Sequence, residues 1–323
     1  MEDNTLKSDL FKKKIFLIYG KKAEEIIEAI SLPRLETFRF NADPDIAENI
    51  LNNLKSSGFD IEESVIPNGF INRSSANGLN VSQTDYFKTG KIYVQSLSSM
   101  LGPLILKLNS EDKILDLCAS PGSKTSQMAF ITGKPENITA VENNSSRFYA
   151  LKKNLSIQGY STAQTLKADA TSLIRRNPQL SFSFNKVLAD VPCSNEGTVR
   201  LLDITTVDKW NPRLSSKISM LQKRIVAAGI NALKEDGLLV YSTCTFSYEE
   251  NEMVVDWVLK KFPEMKLILP ELPTGFKNYI SGLDTCCDRQ LSKEVCKSVR
   301  VLPDSFFDGF FIALFRKESG RAL

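Results

Sequence analysis

DKILDLCASPGSKTSQMAFI, residues 112–131, decides how the rest of the chain is read. DKILDL reads as a buried strand, CASPG as a small-residue turn, and SKTSQMAFI as the helix that follows. Working outward, the alternation repeats. ITAVE (138–142) predicts a second strand with a helix over 145–158, TLKADA (165–170) a third strand and KVLADV (186–191) a fourth. GLLVYST (237–243) predicts a fifth, preceded by a helix over about 215–234. Strands alternating with helices imply an α/β fold with a doubly wound, mostly parallel sheet covered on both faces. MKLIL (265–269) and GFFIALF (309–315) extend that sheet as a terminal hairpin.

Upstream the pattern differs. Residues 8–32 place Phe11, Ile15, Ile26, Ile27 and Ile30 at helical spacing. ETFRFN (36–41) alternates like a strand, DPDIAENILNNLKSSG (43–58) like a capped amphipathic helix, and FDIEESVI (59–66) like another strand. The polar stretch NRSSANGLNVSQT (72–84) reads as a connector. Two domains are expected: 1–84, a helix plus a small α+β module, and 85–323, the larger α/β unit.

With 323 residues, 42% apolar and 24% charged, the chain can bury a sizeable core unaided. The net charge of +3 is unevenly spread: residues 1–90 carry 11 basic and 14 acidic side chains, residues 91–323 carry 30 and 24. A polyanion would find its strong contacts in the later part. Histidine is absent, which excludes Ser-His-Asp and Cys-His catalysis and His-ligated zinc. None of the six cysteines has C-x-x-C spacing, so no metal is expected. MEDNTLKSDLFKKK is charged and IFLIY is too short for a signal peptide or a span. A soluble, cytoplasmic protein with no membrane role is expected, acting as a monomer.

In a doubly wound sheet ligands bind at the carboxyl ends of the strands. The turn there is Cys118, Ala119, Ser120, Pro121, Gly122, Ser123 and Lys124, which lacks the G-x-G-x-x-G fingerprint but lets backbone amides approach a ligand. Glu142 ends the second strand, 26 residues after Asp116, where a carboxylate can take both ribose hydroxyls of an adenosine. Asp169 ends the third strand and Asp190 the fourth. Three acids would repel a pyrophosphate but suit the cationic S-adenosylmethionine, which becomes the expected cofactor. Taken singly, each acid is equally well read as an ordinary strand-end cap.

The fourth strand runs into ADVPCSNEGTVR (189–200) and the fifth into YSTCTFSYEENE (241–252). Each places a cysteine, Cys193 or Cys244, just past a strand beside the expected cofactor. Pro192 stiffens the first loop, and Ser247 with Glu250 has capping-box spacing for a following helix. A lone cysteine is usually a small core residue, but two at neighbouring strand tips point to methylation at carbon 5 of a pyrimidine. There a thiolate adds to carbon 6, a carboxyl within reach such as Asp190 favours addition through ring nitrogen 3, and a base later removes the carbon 5 proton. Cys286, Cys287 and Cys296 lie outside this pattern and read as structural.

These motifs resemble the RNA (cytosine-5)-methyltransferases of the Nop/Sun family. LDLCASPGSKTSQMA (115–129), DVPCSNEGTVR and YSTCTFSYEENE match its cofactor turn and two cysteine motifs, GKIYVQSLSSM (90–100) the preceding segment and DGFFIALFRK (308–317) the closing strand. The resemblance implies a Rossmann-like class I methyltransferase fold behind an RRM-like module. It also implies Cys244 as nucleophile, Cys193 as the residue assisting product release, and cofactor contacts from 118–124, Glu142, Asp169 and Asp190. Several bacterial ribosomal members carry a further carboxyl-terminal RNA-binding domain, which this chain, ending soon after the closing strand, is expected to lack. Its stretch VRLLDITTVDKWNP (199–212) is similar to those ribosomal members, whereas its short length is closer to compact tRNA-modifying ones. Ribosomal RNA is therefore expected ahead of tRNA.

Residues 200–234 add seven basic side chains, Arg200, Lys209, Arg213, Lys217, Lys223, Arg224 and Lys234, against Asp203 and Asp208. They read as an RNA phosphate surface, with Trp210 or Phe246 available to stack a base, or else as a solvated helix face. DNA cytosine methylation and a non-catalytic RNA-binding scaffold are the competing readings.

Overall fold

The computed structural model describes residues 2–286 and 289–319. The first sheet contains β1 (Glu36–Phe40), β2 (Ile61–Glu63), β3 (Gly69–Asn72) and β4 (Ile92–Val94), antiparallel in the order β2-β3-β1-β4. A helix, Pro44–Ser56, follows β1 and a short one, Asp85–Lys88, precedes β4, giving a split β-α-β-β-α-β unit. Where one strand is expected over 59–66, the chain instead turns at Pro67-Asn68-Gly69 and returns as β3. Asn68 adopts φ +58°, a left-handed conformation that asparagine tolerates. β4 lies beyond the boundary expected at residue 84.

One face of this sheet sets Phe38 and Phe40 against Ile50 and Leu54 of the helix. The other face is also covered. Arg39, 1% exposed, donates to Gln95 Oε1, Ser123 O and Ser126 Oγ, tying β1 to the helix Ser123–Thr132. Burial lowers its pKa to about 10.

The helix expected over 8–32 is two helices, Glu2–Tyr19 and Ala23–Ile30, broken where Gly20 takes φ +52°. Their buried side chains, including Phe11, Ile15, Ile26 and Ile30, belong to the core of the larger sheet.

That sheet is built on β5 (Ile114–Asp116), β6 (Ile138–Glu142), β7 (Gln164–Lys167), β8 (Phe184–Asp190) and β9 (Leu233–Thr243), parallel in the order β7-β6-β5-β8-β9. β10 (Met265–Ile268) and β11 (Tyr279–Ser281) come next in the chain, then the two-residue pair β12 (Thr285–Cys286) and β13 (Arg289–Gln290). β14 (Val299–Val301) and β15 (Phe310–Lys317) close it. β15 runs antiparallel to β9 and pairs with β10 and β14, so the two terminal segments extend the sheet as expected. The chain leaves β5 towards β6 and β7, then returns on the opposite side with β8. The topological switch point therefore lies between β5 and β8, where ligand crevices form.

No described helix is long and apolar enough to cross a membrane. Of the cysteines read as structural, Cys296 is half-buried. Cys287 lies outside the described residues, as does the side chain of Cys286.

Candidate active site

A cavity of about 470 Å³ opens at the switch point. It brings together Cys118, Ser120 and Lys124 from the turn after β5, Glu142, Asp169 and Asp190 from the next three strand ends, and both Cys193 and Cys244. The turn is held from behind: Ala119 N–H donates to Val141 O and Ser120 Oγ to Arg147 O, while Gly122 takes φ +106°. Ala119, Pro121, Gly122 and Ser123 thus shape the turn without lining the cavity. The Cys118 thiol is pushed well up by burial and by Asp116, so it is a poor nucleophile.

The three acids keep distinct partners. Glu142 accepts from Asn144 N–H and lies 3.6 Å from Arg147 Nε. Asp169 uses Oδ1 to cap the turn Ala170–Ser172 through Thr171 N–H and Oγ1, so the cap reading holds for that oxygen. Asp190 bridges Lys124 Nζ at 2.7 Å and Ser242 Oγ at 2.7 Å, linking the turn after β5 to β9. This donor set fits an adenosine-bearing cation. Glu142 offers carboxylate oxygens for a ribose, and with Asp169 and Asp190 the rim supplies negative charge against a sulfonium. Among the described residues no cluster of His, Cys, Asp and Glu is arranged to hold a metal ion.

The sulfur atoms of Cys193 and Cys244 stand 3.1 Å apart. Cys244 N–H donates to Cys193 Sγ, and both thiols reach Asn195 Oδ1, at 3.5 and 3.0 Å. Asn195 takes φ +57°, which turns the loop back over the sulfurs. The hydrogen bond to Cys244, and burial after it, push the Cys193 thiol well above its ordinary pKa, so Cys193 keeps its proton.

Behind the sulfurs the two loops are clamped by a carboxylate the motifs did not single out. Glu196, wholly buried, accepts from Lys14 Nζ (2.5 Å), Trp210 Nε1 (3.1 Å), Thr245 Oγ1 (3.0 Å) and Ser247 Oγ (2.9 Å). Lys14 comes from the first helix, 182 positions away, a pairing no local pattern announces. Gly197 N–H donates to Cys244 O and Gly309 N–H to Gly197 O. A Cβ on Gly197 would stand 1.9 Å from Gly309 O, so only glycine permits this approach.

Several expectations are corrected here. Ser247 and Glu250 form no capping box: Asn251 precedes the helix Glu252–Lys261, Ser247 serves Glu196, and Glu250 accepts from Ser194 N–H and Gln222 Nε2. Trp210 and Phe246 are buried beside Phe11, so neither can stack a base. Arg200 is buried against Asp308 at 3.2 Å rather than offered to phosphate. Lys223 is half-buried near the Trp257 ring and Arg224 donates to Thr171 Oγ1, while Lys209, Arg213 and Lys217 are exposed. Glu142 and Asp169 were legible because their neighbours in sequence are their neighbours in space, whereas Asp190 meets Lys124 and Ser242 from remote stretches. Arg200 and Trp210 were misread because their partners are remote.

The family model for the 16S rRNA methyltransferase RsmB/F matches residues 103–316. Among curated proteins the chain is similar to the ribosomal RNA small subunit methyltransferase F of Klebsiella pneumoniae (strain 342), 32% identical over 251 residues, covering 77% of this chain and 50% of the relative. The protein of that name from Escherichia coli O127:H6 is 31% identical over 283 residues, covering 83% and 56%. The chain spans about half the length of these relatives. A methyltransferase homolog from Pyrococcus horikoshii is similar across 98% of both chains, at 29% identity and a TM-score of 0.78. The structure of NSun6 from the same organism with SFG shares the fold, at 22% identity, a TM-score of 0.76 and coverage of 96% and 98%. The motifs, the switch-point cavity and these matches converge: the chain belongs to the RsmB/F family of 16S rRNA methyltransferases.

Proposed function

We propose that this protein methylates carbon 5 of a cytosine in RNA, ribosomal RNA ahead of tRNA, through a covalent cysteine–pyrimidine intermediate. The observation that carries the reading is the pair of sulfurs 3.1 Å apart in the cavity the three acids border. S-adenosylmethionine is the cofactor and supplies, when bound, an electrophilic methyl group. Glu142 and Asp169 hold its adenosine end, and Cys118, Ser120 and Lys124 border it through the turn formed by residues 118–124.

Cys244 acts as a thiolate and adds to carbon 6, moving the ring electrons towards nitrogen 3 and making carbon 5 nucleophilic. Asp190, fixed by Lys124 and Ser242, holds a proton at nitrogen 3 while the ring carries the sulfur. Cys193 is silent during this addition because the hydrogen bond to Cys244, and burial after it, keep it protonated. Once the Cys244 sulfur is a thioether, that hydrogen bond is weakened and the Cys193 proton can leave to solvent. The Cys193 thiolate then takes the proton from carbon 5, the electron pair restores the 5,6 double bond, and Cys244 departs as thiolate. One proton is released per methyl group transferred. The target base must leave its stack to reach the sulfurs. Exposed Lys209, Arg213 and Lys217 supply phosphate contacts.

Incubation with labelled S-adenosylmethionine and either total RNA or DNA tests the class of substrate, with label expected in RNA alone. Label in DNA would establish the competing methylation, and none in either would favour a scaffold. Cys193→Ala should accumulate a protein–RNA adduct that survives denaturing electrophoresis, and Cys244→Ala should form none; the reverse would exchange their roles.

A further inference from the structure

We propose that the nucleotide adjoining the target cytosine binds in a second cavity between the amino-terminal sheet and the active site, with Arg34 holding the phosphate that joins the two. This rests on the RNA reading above. The second cavity measures about 310 Å³, at the small end of ligand pockets, and its lining includes Arg34, Glu36, Thr37, Ser75, Asn80 and Ser96. Arg34 and Ser96 also line the cavity that holds the cysteines, so the two spaces adjoin at these side chains.

The chemistry of the lining suits one nucleotide. Arg34, 39% exposed at its side chain, lies 2.7 Å from Asp308 Oδ2, but the same carboxylate also receives Arg200 at 3.2 Å. Two guanidinium groups on one carboxylate leave Arg34 with donors to spare, and Arg34 is the one of the pair that lines both cavities. Glu36 does not repel an anion from within, because its oxygens accept from Asn72 Nδ2 and from the N–H groups of Val81 and Ser82. Ser96 Oγ is buried with no partner in the protein, and such a group calls for a ligand or water. Asn80 commits its amide nitrogen to Gly78 O, which leaves its oxygen to accept from a base edge. The flat face of the amino-terminal sheet is already covered around Arg39, so the module meets RNA at its edge, along residues 75–80. The exposed bases Lys209, Arg213 and Lys217 line neither cavity.

The test uses the full chain and a short synthetic RNA centred on a cytosine mapped by bisulfite sequencing. Its phosphates are replaced one at a time by uncharged methylphosphonates. Wild type should lose about tenfold in kcat/KM at one phosphate beside the target, the size of one hydrogen bond to a charged group. Arg34→Ala should lose the same factor on unmodified RNA and nothing further on that methylphosphonate. A 4-thiouridine beside the target should photocrosslink to the segment 73–80 in wild type, and less in Asn80→Ala. Additive losses, or crosslinks confined to 209–217, would overturn the proposal while leaving RNA methylation intact. Absence of RNA methylation and of RNA binding by the wild type would remove both readings together.

Discussion

The cofactor rim and the cysteine loops border one cavity and both grow from strand ends, yet they are held by different means. On the rim, the tips of β6 and β7 place acids whose partners sit two residues on, Asn144 for Glu142 and Thr171 for Asp169, and behind it Asp116 of β5 is held by Thr125, nine residues on. In the cysteine loops, Glu196 gathers Lys14, Trp210 and the pair Thr245 and Ser247 from three separate stretches. A rim that binds a flexible cofactor tolerates local support. Two sulfurs that must meet one ring in turn require their loops to be cross-braced, because a small displacement at a reacting centre costs orders of magnitude in rate.

The comparison breaks most visibly at Glu196. Glu196→Ala leaves the largely buried Lys14 ammonium without its counter-charge and Trp210 Nε1 without its acceptor. The expected cost is about 3–5 kcal/mol in urea denaturation, with loss of methyl transfer. Pairing Lys14→Met with Glu196→Leu should cost less than the two single changes together, since replacing both ends of a buried ion pair spares the uncompensated charge. Additive costs would mean that the brace is not a unit.

Asp116 sharpens the contrast, being a buried carboxylate on β5 that does not line the cavity and is supported by a hydroxyl and an N–H. Burial lifts its pKa from 3.8 to about 6, against the bond from Thr125. Below the lower value the group is protonated folded or unfolded. As pH rises between the two, the unfolded chain ionises first, so the fold loses stability, by about 3 kcal/mol once pH exceeds 6. The stability of Asp116→Asn relative to wild type should therefore climb by about 2.4 kcal/mol between pH 4 and pH 7, most of the full change. Urea midpoints at the two pH values measure it, and a constant difference would show that Asp116 ionises freely in the fold.

Glu142 is the test of the rim as a binding surface. Glu142→Gln keeps the shape, loses the charge and is half-able to accept, so affinity for S-adenosylmethionine should fall about tenfold by calorimetric titration. Its partners are exposed or local, so the urea midpoint should barely move. A large loss of stability would place Glu142 with Glu196, as scaffold.

How much could be read from the chain follows the same division. The parallel sheet, the turn at 118–124 and the two cysteine loops were legible because strand, turn and helix are decided by adjacent residues. Glu196 stood in plain view two residues past Ser194, but nothing nearby marks it as buried, since its cation comes from the first helix. Arg200 and Trp210 looked like RNA contacts for the same reason: a basic or aromatic residue in a charged stretch gives no sign that Asp308 or Phe11 will bury it. The capping box failed because Ser247 and Glu250 were drawn to Glu196 and to Ser194, remote groups that outcompete a local cap.

The smallest effects belong to the surface outside both regions. Lys209, Arg213 and Lys217 are exposed and take part in no ion pair among the described residues. Each contact with RNA phosphate would act across water, where neutralising a charge matters mainly through counterion release. Single alanine substitutions should therefore weaken RNA binding by less than about 1 kcal/mol. Removing all three should lower the slope of log K against log salt by about 2–3 without changing which cytosine is methylated. Arg200→Ala should do the opposite, leaving the salt slope alone while it destabilises the fold by emptying the buried place beside Phe307 O and Asp308. If the triple variant kept its slope, RNA would have to approach the cavity from elsewhere, and the edge at residues 75–80 would become its main support.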